Sequence, residues 1–328
     1  MQQNEIEINE QIIDNIIKFS GIKENIVKIG NPHRWIMELR KILLSNGQTL
    51  ILKIGINDEW TDEASILNQV AVAEILGNMG IQPKILSFEA NKAVYGFRFL
   101  LFNGYTGKKL YDIYNNNCKK NRIKIFEALG RTYDQIHRKK NSWSGVWNGC
   151  LTERKYPIHP AKFYSDAEFH SGSGSKLFET GKINKNLFNE ICEIWDNNLQ
   201  YLEERPASLV HISPFPWSIY LNQNNDIYDV TGLSSIGDFM WWDAMSDVAH
   251  LLYPPFMDIT DDERKAFLQK YKGEINYKAI SLYKLLNRIC ALSDVYIAPM
   301  CQSNKNEWIN KEVLQLNNII NEIRANCI

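Results

Sequence analysis

The stretch Leu209-Val210-His211-Ile212-Ser213-Pro214-Phe215-Pro216-Trp217-Ser218-Ile219-Tyr220-Leu221 governs how the rest of the chain is read. Leu209-Val210 is a short apolar strand, and a loop comes after it. Then come Ile219-Tyr220-Leu221, a polar N-Q-N-N-D turn and Ile227-Tyr228-Asp229-Val230. The pattern is a β-hairpin set among helices. The clearest helix before it spans 121–138, with Ile125, Leu129, Tyr133 and Ile136 on one stripe, and another spans 184–203. Helical patterns return at 243–252, 261–272, 277–293 and 306–325. Asp261-Asp262 supply an N-cap and first-turn charge for the second of these.

The first hundred residues read differently. Apolar residues at helical spacing mark 5–20. Strands come next at Val27 to Ile29, Trp35 to Leu44 and Thr49 to Ile54, and Asn46-Gly47 joins the last two as a hairpin turn. A helix over 62–79 ends at Gly80, with Pro83 blocking its resumption. Two further strands, 84–89 and 93–102, complete the region. The segment 141–181, rich in Ser, Gly, Asn and Lys, reads as a loop-rich insertion near a cleft.

Composition sets outer limits. The chain has 328 residues, 45% hydrophobic and 23% charged, with a net charge of -1. It is an ordinary globular composition with no field drawing it to nucleic acid or anionic membrane. No apolar run reaches the roughly 20 residues needed to span a bilayer, and the polar N-terminus is not a signal peptide. A cytoplasmic location is the expectation. The six cysteines show no C-x-x-C or other metal-ligand spacing, so they read as reduced thiols.

With these elements in place, the 209–221 stretch resembles L-V-H-G-D-x-x-P-x-N-I-L, the catalytic loop of the aminoglycoside phosphotransferase and choline-kinase-like group. His211, Pro216, Ile219 and Leu221 match. Other matches occur in chain order. Thr49–Ile54 looks like the strand whose lysine meets the nucleotide phosphates, here Lys53. Asn78–Pro83 is similar to the group's G-x-x-P segment. Leu101–Gly107 resembles its hinge, and Leu129 to His137 its L-G-x-x-L-x-x-L-H helix. Ile236-Gly237-Asp238 with Asp247-Val248-Ala249 resembles G-D-P-x-x-D-L-A. The resemblance covers about residues 25 to 290. It implies an α+β, two-lobed, protein-kinase-like fold: a β-rich lobe over 1–102 and a mainly helical lobe over 103–328, together one unit. It also implies a nucleotide site at Lys53, Phe102, Asn103 and Tyr105. His211 and Asp238 are expected to brace the loop rather than react.

The chain departs from the group where the chemistry lies. The Asp that orients the acceptor hydroxyl is replaced by Ser213, and the metal-binding Asn by Ser218. A serine hydroxyl is not a useful general base, and losing one costs roughly 10²–10⁴-fold. The metal-binding Asp expected at the end of the hairpin is absent at Thr231 and Gly232. The partner expected for Lys53 falls on Asn68 or Gln69. Only one Gly stands in Gly30–Arg34, where a phosphate loop would be.

These departures together imply a catalytically degraded member of this type, a pseudokinase. Its old cleft is expected to bind a nucleotide, a small metabolite or a partner protein, with no required cofactor and with ATP bound, if at all, without Mg²⁺. Ser213, Pro214, Phe215 and Trp217 give that cleft an apolar floor. Two alternatives stand beside it. One is an active small-molecule O-phosphotransferase with metal ligands shifted to Asp229 or Asp238. The other is a different reaction class on the same scaffold, for which His33, Cys150 and His170 are the residues to test.

Overall fold

The computed structural model describes residues 8–34, 37–55, 61–170, 177, 182–293 and 305–326. Helix α1 (Glu10–Phe19) lies on a sheet of β1 (Ile26–Ile29), β2 (His33–Arg34), β3 (Met37–Leu44), β4 (Thr49–Gly55), β5 (Ile85–Glu89) and β6 (Phe99–Asn103). The pairing order is β1-β3-β4-β6-β5, all antiparallel, with β2 on β3. The Asn46-Gly47 turn is present; of the two, only Gly47 takes a positive φ, 82°. Trp35 and Ile36, expected in β3, lie outside the described residues.

Strand alternation assigns each face of this sheet a task. Leu50, Leu52 and Ile54 of β4, with Phe99 and Leu101 of β6, pack with Ile13, Ile16 and Ile17 of α1. The opposite face carries Ile51, Leu100 and Phe102, which pack with Ile66 of helix α2 (Glu63–Gly77). Lys53 belongs to that second face, so it points toward α2. The far side of α2, Val72, Ala73 and Leu76, joins the core of the helical region instead. This helix is therefore apolar on two faces.

One expected strand is shortened. Residues 93–98 form a tight loop, because the Glu89 carboxylate accepts from the backbone N–H groups of Val94 (2.6 Å) and Tyr95 (3.2 Å). Lys92 and Gly96, both at positive φ, turn the chain there. The sheet strand is only Phe99–Asn103.

Beyond Asn103 come β7 (Lys108–Lys109), α3 (Leu110–Tyr114), α4 (Lys119–His137), β8 (Lys140–Asn141), α5 (Pro160–Tyr164), α6 (Lys185–Asn197) and α7 (Leu199–Glu203). The expected 184–203 helix is thus two helices, broken at Asn198 (φ -109°). Then β9 (Ala207–Val210), β10 (Ile219–Asn224), β11 (Ile227–Leu233) and β12 (Met240–Asp243) precede α8 (Met245–Leu252), α9 (Asp261–Lys270), α10 (Tyr277–Ser293) and α11 (Lys305–Asn326). The cap of α9 is Thr260, not Asp261: it forms a capping box with Glu263, leaving Asp261 and Asp262 in the first turn. Two small three-stranded sheets, β11-β10-β7 and β12-β9-β8, set the 211–218 loop between them.

Candidate active site cleft

The 211–218 loop is held by one buried carboxylate. Asp247 accepts from the backbone N–H of His211 (2.7 Å) and of Ile212 (2.9 Å), and its Oδ2 lies 3.1 Å from His137 Nε2. His137 Nδ1 is 2.9 Å from the Tyr271 hydroxyl. The brace expected of Asp238 is therefore supplied by Asp247, and His137 is part of it. His211 is fully buried, its Nε2 2.8 Å from the Ser234 carbonyl and its Nδ1 3.1 Å from the Tyr133 hydroxyl. With Nε2–H donating and Nδ1 accepting, the ring is neutral, and burial lowers its pKa further. These are the contacts of a scaffold residue. Ile212, where the resembling pattern has Gly, keeps a left-handed backbone at φ 64°.

Lys53 Nζ donates to Gln69 Oε1 at 2.6 Å. Of the two positions expected to face the lysine, Gln69 does so and Asn68 does not. A neutral amide replaces the usual carboxylate. Desolvation pulls the Lys53 pKa below the usual lysine range, and the charge of Asp238 partly restores it. Asp238 ends a 3-10 turn, Ile236–Asp238, which follows β11. Asp238 is an exposed residue by accessible surface. Desolvation raises its pKa, and the nearby His211, Ser213 and Lys53 pull it back. Asp238 is a cleft carboxylate, reached by a loop that runs past Thr231 and Gly232.

Those two positions serve packing. Thr231 Oγ1 donates to the Thr106 carbonyl at 2.8 Å. Gly232 lies under the Tyr105 ring: a Cβ there would stand 2.8 Å from Tyr105 Cδ1. Tyr105 stacks on Tyr220 (4.5 Å, 13°) and meets Phe102 edge-on (6.0 Å). Asn103 spends its N–H and its Oδ1 on the Lys84 backbone, at 3.2 and 2.7 Å. Ser218 is buried, its N–H on the Phe215 carbonyl at 2.8 Å. Asp229 is not a cleft residue: it is exposed on the outer face of β11, 3.9 Å from Arg131. His33 is exposed on β2, and Cys150 is exposed in the hairpin that runs to residue 155. His170 closes a π-helical turn, Ser165–His170.

Trp217 stacks on Phe215 (4.7 Å, 8°) and meets Phe256 at 5.3 Å. Phe256 in turn stacks on Trp308 of α11 (5.6 Å, 2°). The aromatic character of the loop was legible; the contributions of Phe256 and Trp308, from distant segments, had no sequence signal. Among the described residues no three His, Cys, Asp or Glu side chains converge as a metal site. A two-metal phosphate clamp needs more than one oxygen anion, so Asp238 with serine hydroxyls does not fit it. Among the described residues no helix is long and apolar enough to cross a membrane.

No protein-family model matches the chain, and no curated protein matches it in sequence. Solved structures do match in shape. The GDP and kanamycin complex of APH(2")-IIia superposes with TM-score 0.63 at 14% identity, covering 96% of this chain and 99% of that one. The APH(4)-Ia ternary complex with AMP-PNP and hygromycin B gives 0.59 at 11%, covering 94% and 97%. A structure named as a fructosamine-3-kinase from Thermobifida fusca gives 0.55 at 13%, covering 94% and 99%. The chain has the two-lobed kinase-like fold of the aminoglycoside phosphotransferases over nearly its whole length.

Proposed function

We propose that this protein is a catalytically degraded phosphotransferase, a pseudokinase that binds a small molecule or nucleotide in its interlobe cleft without transferring phosphate. The observation that carries this reading is the composition of the cleft. Serines stand at 213 and 218, Gln69 faces Lys53, and Asp238 is the one carboxylate acting on that lysine among the described residues. Phosphoryl transfer is mostly positioning and neutralisation of charge, which a kinase achieves with a base, two metal ions and a lysine–glutamate pair. Of these parts Lys53 remains. One cation and one carboxylate suit a ligand with at most a single localised charge, not a metal triphosphate.

The test is calorimetric titration with ATP, with and without Mg²⁺. Alongside it runs a phosphate-transfer assay offering kanamycin and hygromycin B, the molecules bound by the structural neighbours. Nucleotide binding indifferent to Mg²⁺, or none, with no transfer is the expected result. Magnesium-dependent turnover near kinase rates, about 1–100 per second, overturns the reading.

One observation favours a second reading. Asp238 reaches the cleft beside Lys53 and Ser213, as a lone metal ligand in an active O-phosphotransferase would. In that case Asp238→Asn abolishes turnover with the fold intact.

A further inference from the structure

The segment 144–155, a loop by sequence, is a hairpin that crosses from the helical region to α2. It is rooted by exchange of backbone bonds between Gly145 and Trp241, at 2.7 and 3.0 Å. It is closed by Lys155 N–H to the Val146 carbonyl (2.7 Å) and Asn148 N–H to the Glu153 carbonyl (2.8 Å). Trp147 is fully buried beside Trp241. Its far end docks on α2. The buried Asn68 amide uses both ends there: Nδ2 donates to the Trp147 carbonyl at 2.7 Å, and Oδ1 accepts from Gly149 N–H at 2.8 Å. Lys155 Nζ pairs with Asp62 at 2.7 Å, the residue whose other oxygen caps α2. Gly149 makes the approach possible. Its φ is 72°, and a Cβ would already be 3.2 Å from Leu67.

Asn68 is the sequence neighbour of Gln69, the residue that holds Lys53. One turn of α2 therefore faces the hairpin with one side chain and the cleft with the next. In an active kinase the position of this helix is set by the lysine–glutamate pair, and that pair must form for catalysis. Here Lys53 bonds to an uncharged amide, so the tether lacks the opposite charge of a lysine–glutamate pair. We propose that the 144–155 hairpin is a clasp that replaces it: α2 is fixed against the helical region by Asn68 and Asp62, so the cleft keeps one geometry whether or not a ligand is bound. The clasp rests on the fold alone, and stands whether or not the cleft turns over ATP.

Hydrogen exchange on the full chain, read by mass spectrometry, tests this. In the native protein, backbone amides of 62–69 and 146–155 are protected without ligand, and Mg²⁺-ATP leaves that protection unchanged. Asn68→Ala removes two buried hydrogen bonds and speeds exchange of both segments by on the order of tenfold or more, with α10 unaffected. Lys53 becomes more reactive to acetylation at the same time, a change that loss of generic stability in the hairpin would not produce. If Asn68→Ala unfolds the whole chain, Lys155→Met decides in its place, with a smaller rise confined to the same segments. Unchanged exchange at 62–69 in the deciding variant, or α2 protection that appears only with Mg²⁺-ATP, overturns the proposal.

Discussion

Ile212 has a β-branched side chain at φ 64°, a conformation that disfavours such residues by roughly 1–2 kcal/mol. It persists because the surroundings leave the backbone no choice. Asp247 holds the N–H groups of both Ile212 and His211, and a rotation at 212 would break the first bond. The resembling loop pattern has Gly at this position, the residue that adopts such a φ freely. Ile212→Gly and Ile212→Ala both lose the side chain's packing on the core, but only Gly relieves the strain, so the Gly variant is expected to be more stable than the Ala variant by about 1 kcal/mol, read as a higher denaturant midpoint at unchanged slope. The substitutions at Ser213, Ser218 and Gln69 leave no such trace, since each fits its local geometry. Their residue types could be read from the sequence, as could Asp238 as a candidate, but not the turn that carries it. A residue five positions beyond the strand end returns to the cleft only because the 3-10 turn at 236–238 folds it back.

Among the elements, α4 and α9 pack together and meet at a glycine. A Cβ on Gly130 would lie 2.4 Å from the Phe267 carbonyl oxygen and 3.1 Å from Lys270 Cβ. Ala in place of Gly normally favours a helix by about 1 kcal/mol. Here the added atom meets backbone, which cannot turn aside as a flexible side chain can. Gly130→Ala is expected to cost about 1–3 kcal/mol, against the propensity, measured as a fall in thermal midpoint. Element type and order were legible across most of the chain, because periods of two and near four residues record which face is buried. Failures came where polar side chains overruled periodicity. Glu89 folded 93–98 into a loop, Thr260 took the cap from Asp261, and Asn198 divided a helix. In 141–181 no period exists to read, because the hairpin there is fixed by single contacts to α2 and β12.

For the whole molecule, α2 is the element that belongs to both halves. Ile66 packs under the sheet, while Val72, Ala73 and Leu76 lie in the helical core. Helix α2, inside the expected 1–102 lobe, thus also packs with the expected 103–328 lobe. The charge state of the interior couples to the stability of the entire fold. His250 is buried against Phe215, and desolvation lowers its pKa to about 4. The unfolded chain, with a histidine pKa near 6.5, binds the proton more readily. Stability from this group is thus complete above about pH 6.5 and is lost as pH falls toward 4, by on the order of 3 kcal/mol. His250→Leu is expected to flatten that acid limb in thermal melts taken between pH 4 and 7, with little change in slope above it.

Residue order alone carries the succession of strands and helices, the position of Lys53, its neutral partner and the serines of the 211–218 loop. Each of these is recorded in local periodicity or in a residue's own chemistry. Three-dimensional packing alone makes Asp247 the brace of the loop, brings Asp238 into the cleft while Asp229 faces away, and lets Asn68 tie α2 to a distant hairpin. Those facts depend on contacts between residues far apart in the chain. Periodicity encodes burial, which is a property of one segment; the direction of a polar side chain is set by whatever the rest of the fold brings against it.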